Sequence, residues 1–224
     1  MSAAPRRLPL FPLPLVLFPG APLPLHVFEP RYRRLLADSL SGDRRFGVVL
    51  RPEGLAETEL PTGHVGCVAR VESAEPLPDG RSNVLVVGER RFALERLIET
   101  EAPYHVAMVS DFEDAPGDDA VELASLDVRV RELFGRVGRA ARTLADERDT
   151  LPYLPPEPAQ LSFAVASVID LDVTRRQRLL ASRSPAGRLR ELELVLGAAL
   201  GTLEQRAEVH ARARGNGLGP RAVS

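Results

Sequence analysis

LPLFPLPLVLFPGAPLPLHVFEPRYR, residues 8–33, decides how the rest of the chain is read. It is the most apolar run in the sequence, and its prolines at 9, 12, 14, 19, 22 and 24 exclude a helix. Each lacks the N–H, and each ring blocks the turn before it. The run is therefore extended. Leu8 and Leu10 share one strand face while Leu13, Leu15 and Leu17 share another, which predicts a parity slip, a bulge or bend, around Phe11-Pro12. Pro19-Gly20 suits the two central positions of a type II turn, after which Leu23, Leu25 and Val27 resume the alternation. Glu29-Pro30-Arg31-Tyr32 then opens a helix, with proline near its first position and Leu35, Leu36 and Leu40 on its apolar face.

Beyond this helix, residues 45–50 read as a strand and residues 51–63 as a polar loop. Val65, Cys67, Ala69 and Val71 alternate with Gly66, Val68 and Arg70, which predicts a strand with one buried face and an inert thiol at Cys67. Pro78-Asp79-Gly80 is a hairpin turn, and the returning strand at residues 84–87 is apolar on both faces, as a central strand would be. Phe92 with Leu94, then Tyr104, Val106 and Met108, supply two more strands. Short strands with turns between them point to a closed or nearly closed barrel.

Nine acidic residues and no arginine lie between Leu97 and Asp127, centred on DFEDAPGDDA at residues 111–120. Counting from Asp111, the sixth position is Pro116 where a calcium loop needs glycine, so the stretch reads as a solvated linker. Asp118 and Asp119 are expected to favour the N-terminus of the following helix. From there the apolar period changes from two to 3.6. Leu126, Val130, Leu133, Val137, Ala141 and Leu144 define one helix, and Leu161, Val165, Val168 and Ile169 a second. Asp172 caps a short third, and Ser184-Pro185 starts a fourth carrying Leu189, Leu192, Leu196, Leu200 and Leu203. The small residues from Gly197 to Gly201 predict close packing within this bundle.

The motifs LPLFPLPLVLFPG and PLHVFEPRYRRLLADSL resemble the opening of the Lon N-terminal domain, the substrate-binding domain of ATP-dependent Lon proteases. The resemblance continues through FGVVL (46–50), VGCVARVESAEPLPDGRSNVLVVGERRFALE (65–95) and YHVAMV (104–109). It implies a β-rich, PUA-like first half and a helical second half; with the acidic stretch and the periods read above, this makes an α+β chain with a β-barrel over residues 1–112, an acidic linker over 113–117, a helical bundle over 118–214 and a disordered tail over 215–224. It further implies a non-catalytic module that binds unfolded or degron-bearing polypeptides, alone or beside a protease or chaperone; the lack of any long apolar run reads as a cytoplasmic setting. Phe28, Glu29, Arg31 and Tyr32 match the family motif and are the candidate substrate-binding residues. Their plainer roles are structural, with Phe28 in the core and Glu29 at the helix N-terminus. The alternative function is RNA binding, since PUA-like folds elsewhere bind RNA. A net charge of −2 and 5% aromatic residues argue against it.

The remaining signals are mostly absences. All 29 basic side chains are arginine, so the chain holds neither a Walker A lysine nor a Ser-Lys dyad. No G-x-S-x-G elbow occurs, and His26, His64, His105 and His210 show no metal-ligand spacing and read as ordinary residues. No cofactor or metal is expected. The single cysteine fits a reducing compartment. Arg6-Arg7 before an apolar run imitates a signal peptide, but the prolines break the helix that such a segment needs. Ten arginines against four acids in residues 173–224 read as a solvated basic face. The purified protein is expected to hydrolyse neither ATP nor casein. Activity that tracks the protein through purification overturns the non-enzyme reading.

Overall fold

In the computed structural model, which describes residues 4–51, 54, 56–145 and 152–216, the proline-rich run forms two strands, β1 (Arg6–Leu13) and β2 (Pro22–Val27). The turn between them is as expected: Gly20 has φ +78°, and the Ala21 N–H donates to the Phe18 carbonyl at 3.1 Å. The predicted parity slip is absent. β1 runs parallel to β3 (Arg45–Leu50) in unbroken register, from Leu10 opposite Gly47 to Leu13 opposite Leu50. Instead, both faces of β1 are buried. Leu8 and Leu10 join one apolar cluster with Phe92, Leu94 and Val109. Phe11 joins another with Tyr32, Phe46 and Val86, and Leu13 and Leu15 pack at its margin. Simple alternation in a strand buried on two sides imitates a slip.

The long strands β4 (Val65–Pro76) and β5 (Ser82–Ile98) form a hairpin. In its turn Gly80 takes φ +80°, and the Asp79 carboxylate accepts from the Arg81 N–H at 3.0 Å. β5 merges two strands that the sequence reading kept apart. Its first half pairs with β2 and its second half with β6 (Val106–Asp111), while β4 lies along its other edge. β6 also pairs with β1, so the path β1, β3, β4, β5, β6 returns to β1 and leaves β2 as an edge strand. The result is a mixed sheet. β4 too is buried on both faces, because Cys67 and Val68 lie in different clusters. Burial pushes the Cys67 thiol up to about 12, which makes it inert at neutral pH.

Among the described residues, five α-helices complete an α+β chain: α1 (Pro30–Ser41), α2 (Ala120–Ala145), α3 (Pro158–Val168), α4 (Val173–Ala181) and α5 (Pro185–Asn216). They do not form one bundle over 118–214. The chain divides into two compact units, one of residues up to Pro116 with Ala166–Arg183, the other of Gly117–Val165 with the residues from Ser184 on. α4 thus belongs with the strands, and Arg91 is the reason. That guanidinium is 5% exposed and donates to the carbonyls of Leu180 at 2.8 Å and Ser182 at 2.6 Å and to Asp114 at 2.6 Å. Gln177 adds a bond to the Val65 carbonyl, and Leu179 and Leu180 are buried.

In the other unit, α2 and α5 pack together through Leu126, Val130 and Phe134 and through Leu189, Leu192, Leu196 and Leu200. Asp119 caps α2 by accepting from the Glu122 N–H. Asp118, expected to serve the same helix, instead accepts from Ser184 Oγ and the Ala186 N–H and so caps α5. The C-terminal arginines are not simply a solvated face either. Arg188 is 1% exposed, bonded to Ser162 and stacked over Phe163, and Arg190 pairs with Glu122. Gly197 and Gly201 face open space, contrary to the close packing expected of them, and Val168 is exposed. Of the tail expected from residue 215, Gly215 and Asn216 belong to α5 and the rest lies outside the described residues. No helix among the described residues is long and apolar enough to cross a membrane.

Replacing Arg91 by alanine removes its bonds to the Leu180 and Ser182 carbonyls and to the Asp114 carboxylate. A loss of about 2–4 kcal/mol in urea unfolding is expected. A fragment of residues 1–112, which lacks all three acceptors, should be destabilised at least as much. An unchanged midpoint for R91A removes the proposed tie between α4 and the strands.

Candidate functional site

A cleft of about 310 Å³ opens where β1 ends, β2 runs into α1, and the segment after β3 passes by. Its apolar walls come from Phe11, Pro12, Leu13, Pro14, Leu25 and Val27, and its polar side from Glu29, Arg31, Tyr32, Arg51 and Glu57. Local sequence dictates this. Pro30 at the first position of α1 starts the helix abruptly, with Glu29 at the N-cap. The helical phase then turns Tyr32 inward, where its ring stacks on Phe11 at 4.0 Å, and leaves Arg31 at the mouth.

All four sequence-predicted residues, Phe28, Glu29, Arg31 and Tyr32, line this cleft. Phe28 is not in the core. Val27 takes the buried position, and the next residue of the alternation points outward, leaving Phe28 58% exposed beside the His26 ring. Glu29 occupies the N-cap but makes no side-chain cap; its carboxylate accepts from Arg31 Nε at 3.0 Å instead. His26 is also a lining residue. Its Nε2 faces Arg81, which can only donate, so Nδ1 carries the proton and donates to Asn83 Oδ1 at 2.9 Å.

Glu57, read from sequence as part of a polar loop, is the centre of the polar side. Its carboxylate accepts two bonds from Arg31, at 2.6 and 3.0 Å. His105 Nε2 lies 3.2 Å away, and the Tyr32 hydroxyl makes longer contacts at 3.3 and 3.4 Å. Burial alone would raise the Glu57 carboxyl, but the Arg31 bonds and charge outweigh it and hold the group below the usual carboxylate range. Burial, reinforced by the Glu57 charge, pushes the Tyr32 phenol far above its ordinary value and keeps it a donor. Arg31 is opposed by burial but held above its ordinary value by bonds to Glu57 and Glu29. Glu57 and Arg31 are 26 residues apart, and no local motif marks the pair. Arg51 and His105 carry no signal either. Among the described residues, the lining contains no serine, threonine or cysteine.

A sequence profile of the ATP-dependent protease La (LON) substrate-binding domain matches residues 7–196. Lon protease 2 of Herpetosiphon aurantiacus is 30% identical over 207 residues, covering 91% of this chain and 25% of that protein. The Lon protease of Roseiflexus castenholzii is 30% identical over 190 residues, covering 84% of this chain and 23% of that one. The chain therefore spans about a quarter of the length of these relatives. Among solved structures, a Lon N-terminal domain protein from Xanthomonas campestris matches with TM-score 0.56 and 27% identity, over 84% of this chain and 96% of that one. The N-terminal domain of a Mycobacterium avium complex Lon protease matches with TM-score 0.62 and 16% identity, over 86% and 98% respectively, and bears on the fold alone.

Because the Glu57 carboxyl is depressed, its stabilising bonds are fully present above the ordinary glutamate range and are lost as the pH falls through the depressed value. Glu57→Gln is expected to destabilise the protein by about 1–3 kcal/mol at neutral pH. The gap between variant and parent should close as the solution is acidified below the ordinary glutamate range. A gap that stays constant into strong acid contradicts the assigned role of the carboxylate.

Proposed function

Since the chain belongs to the Lon substrate-binding domain family, matched from residue 7 to residue 196, we propose that it is a non-catalytic module that holds unfolded or degron-bearing polypeptide segments in the cleft beside Phe28. One observation carries the reading: a large aromatic side chain, 58% exposed, stands on the wall of an apolar cleft. Of the family-motif residues, Phe28 is the one that makes contact. Tyr32, Arg31 and Glu29 hold the cleft's shape through Phe11 and Glu57. The closed pairing path from β1 back to β1 supports reading the strand unit as a PUA-like barrel. A cytoplasmic setting, with a protease or chaperone as downstream partner, suits such a module.

The RNA reading draws little support from the surface of the strands. Arg45 pairs with Glu89, Arg70 with Glu72 and Glu89, and Arg6 with Asp111, so these guanidinium groups already face carboxylates. Backbone pairing is also a poor source of affinity. β2 is an edge strand, but Pro22 and Pro24 lack the N–H, which leaves His26 as the one donor of that register on its outer side. Contact must come chiefly from side chains.

A permanently unfolded probe, reduced and alkylated α-lactalbumin, is expected to bind with little change between about 50 and 200 mM salt, whereas phosphate binding would weaken steeply. Phe28→Ala should lower its affinity by about 1–2 kcal/mol, roughly 5- to 30-fold, with an unchanged thermal midpoint. Tight, salt-steep RNA binding with no polypeptide binding overturns the proposal.

A further inference from the structure

Among the described residues, the charged side chains lining the cleft are Glu29, Arg31, Arg51 and Glu57, and they are not equally engaged. Arg31 bonds both carboxylates, and Glu57 is further surrounded by Tyr32 and His105. Both acids of the lining are thus already paired with a guanidinium. An incoming cation would have to displace Arg31 from a bidentate bond, which is among the strongest a side chain makes. Arg51 is different. Its backbone is fixed by the bond from its N–H to the Leu13 carbonyl at 2.9 Å, yet its exposed guanidinium has no carboxylate or carbonyl partner among the described residues. It stands at the rim of an apolar cleft, where a charged group approached by ligand loses part of its water and bonds an anion more strongly than in bulk solvent.

We infer that the cleft selects polypeptide segments in which a large apolar side chain lies next to a carboxylate, the apolar group packing against Phe28 and the prolines and the carboxylate bonding Arg51. The inference rests on the cleft being the polypeptide site proposed above and adds its specificity. The carboxylate is the α-carboxylate of a chain end or the side chain of an aspartate or glutamate. Arg51 is a specificity residue: the apolar walls accept many sequences, and the guanidinium ranks them by charge. Because Pro22 and Pro24 deny the ligand a continuous ladder along β2, this polar contact is the main source of orientation.

The test uses the full chain and fluorescently labelled peptides of equal length that share one phenylalanine in a Gly/Ser background. One ends in phenylalanine with a free carboxylate and one is the same peptide amidated. Two further amidated peptides carry internal Phe-Asp or Phe-Asn. The acid form of each pair is expected to bind roughly 3- to 10-fold tighter than its neutral counterpart, with the preference shrinking as salt is raised. Arg51→Gln should bind the acid and neutral forms alike, and Arg51→Lys should restore part of the preference. Phe28→Ala should weaken every peptide by a similar factor and leave the acid preference in place. A preference confined to the free-end pair assigns the anion to a chain terminus, and one confined to the internal pair assigns it to a side chain; either supports the inference. Equal binding of acid and neutral forms to the parent protein overturns it, as does a preference that survives Arg51→Gln. Failure of every peptide to bind the parent protein overturns the polypeptide reading of the cleft and this inference with it.

Discussion

A proline nitrogen carries no hydrogen, and six prolines between Leu8 and Leu25 remove the helix from the options open to the most apolar stretch of the chain. That stretch must bury its leucines while extended, and it does so by placing β1 between two apolar clusters. The other strands are arranged around this strand. β3 pairs along one edge of β1, β6 pairs with its first half, and α1 packs Tyr32 against Phe11. The cleft opens beside the half of β1 that β6 does not cover, with Pro12 and Pro14 among its lining. The same property closes off the outer edge of β2. An edge of this kind invites pairing between chains, and Pro22 and Pro24 remove the donors such pairing would use.

Features specified by neighbouring residues were legible in the sequence. The turn at Pro19-Gly20, the hairpin at Pro78-Asp79-Gly80, and the caps at Asp172 and Ser184 all appear where residue chemistry predicts them. Each depends on atoms two or three residues apart. The candidate site was legible to the same extent: Phe28, Glu29, Arg31 and Tyr32 do line the cleft, because they belong to one continuous junction of strand and helix. Glu57, Arg51 and His105 were not, because their relations to α1 and β1 arise only through folding. The cap at Asp172 likewise marked where α4 begins without showing what covers Leu179 and Leu180. Alternation misled in two places: at β1 a strand apolar on both sides looks like one that changes sides, and at β4 the alternating run hid a second buried face.

The exclusive use of arginine has structural meaning. Arg31 makes a bidentate bond to Glu57 while lying 4.4 Å above the Tyr32 ring. Arg91 reaches three acceptors from one buried position, and Arg188 combines a bond to Ser162 with stacking on Phe163. A planar guanidinium can satisfy several acceptors in fixed directions and still offer a flat face to an aromatic ring. An ammonium group cannot, so replacing these arginines by lysine keeps the charge and loses the geometry. The buried arginines therefore act as multi-point connectors between elements distant in sequence, a role that burial of an unpaired charge would forbid.

The solitary thiol of Cys67 has a use that its inertness creates. It lies at 0% exposure in β4, and burial raises its ionisation to about 12, so a reagent that attacks thiolates has no target while the strands stay paired. Alkylation at neutral pH must wait for the strand unit to open far enough to expose and ionise this one atom. The rate of its modification is then a clock for the unit's spontaneous opening, written into the native sequence and needing no introduced probe.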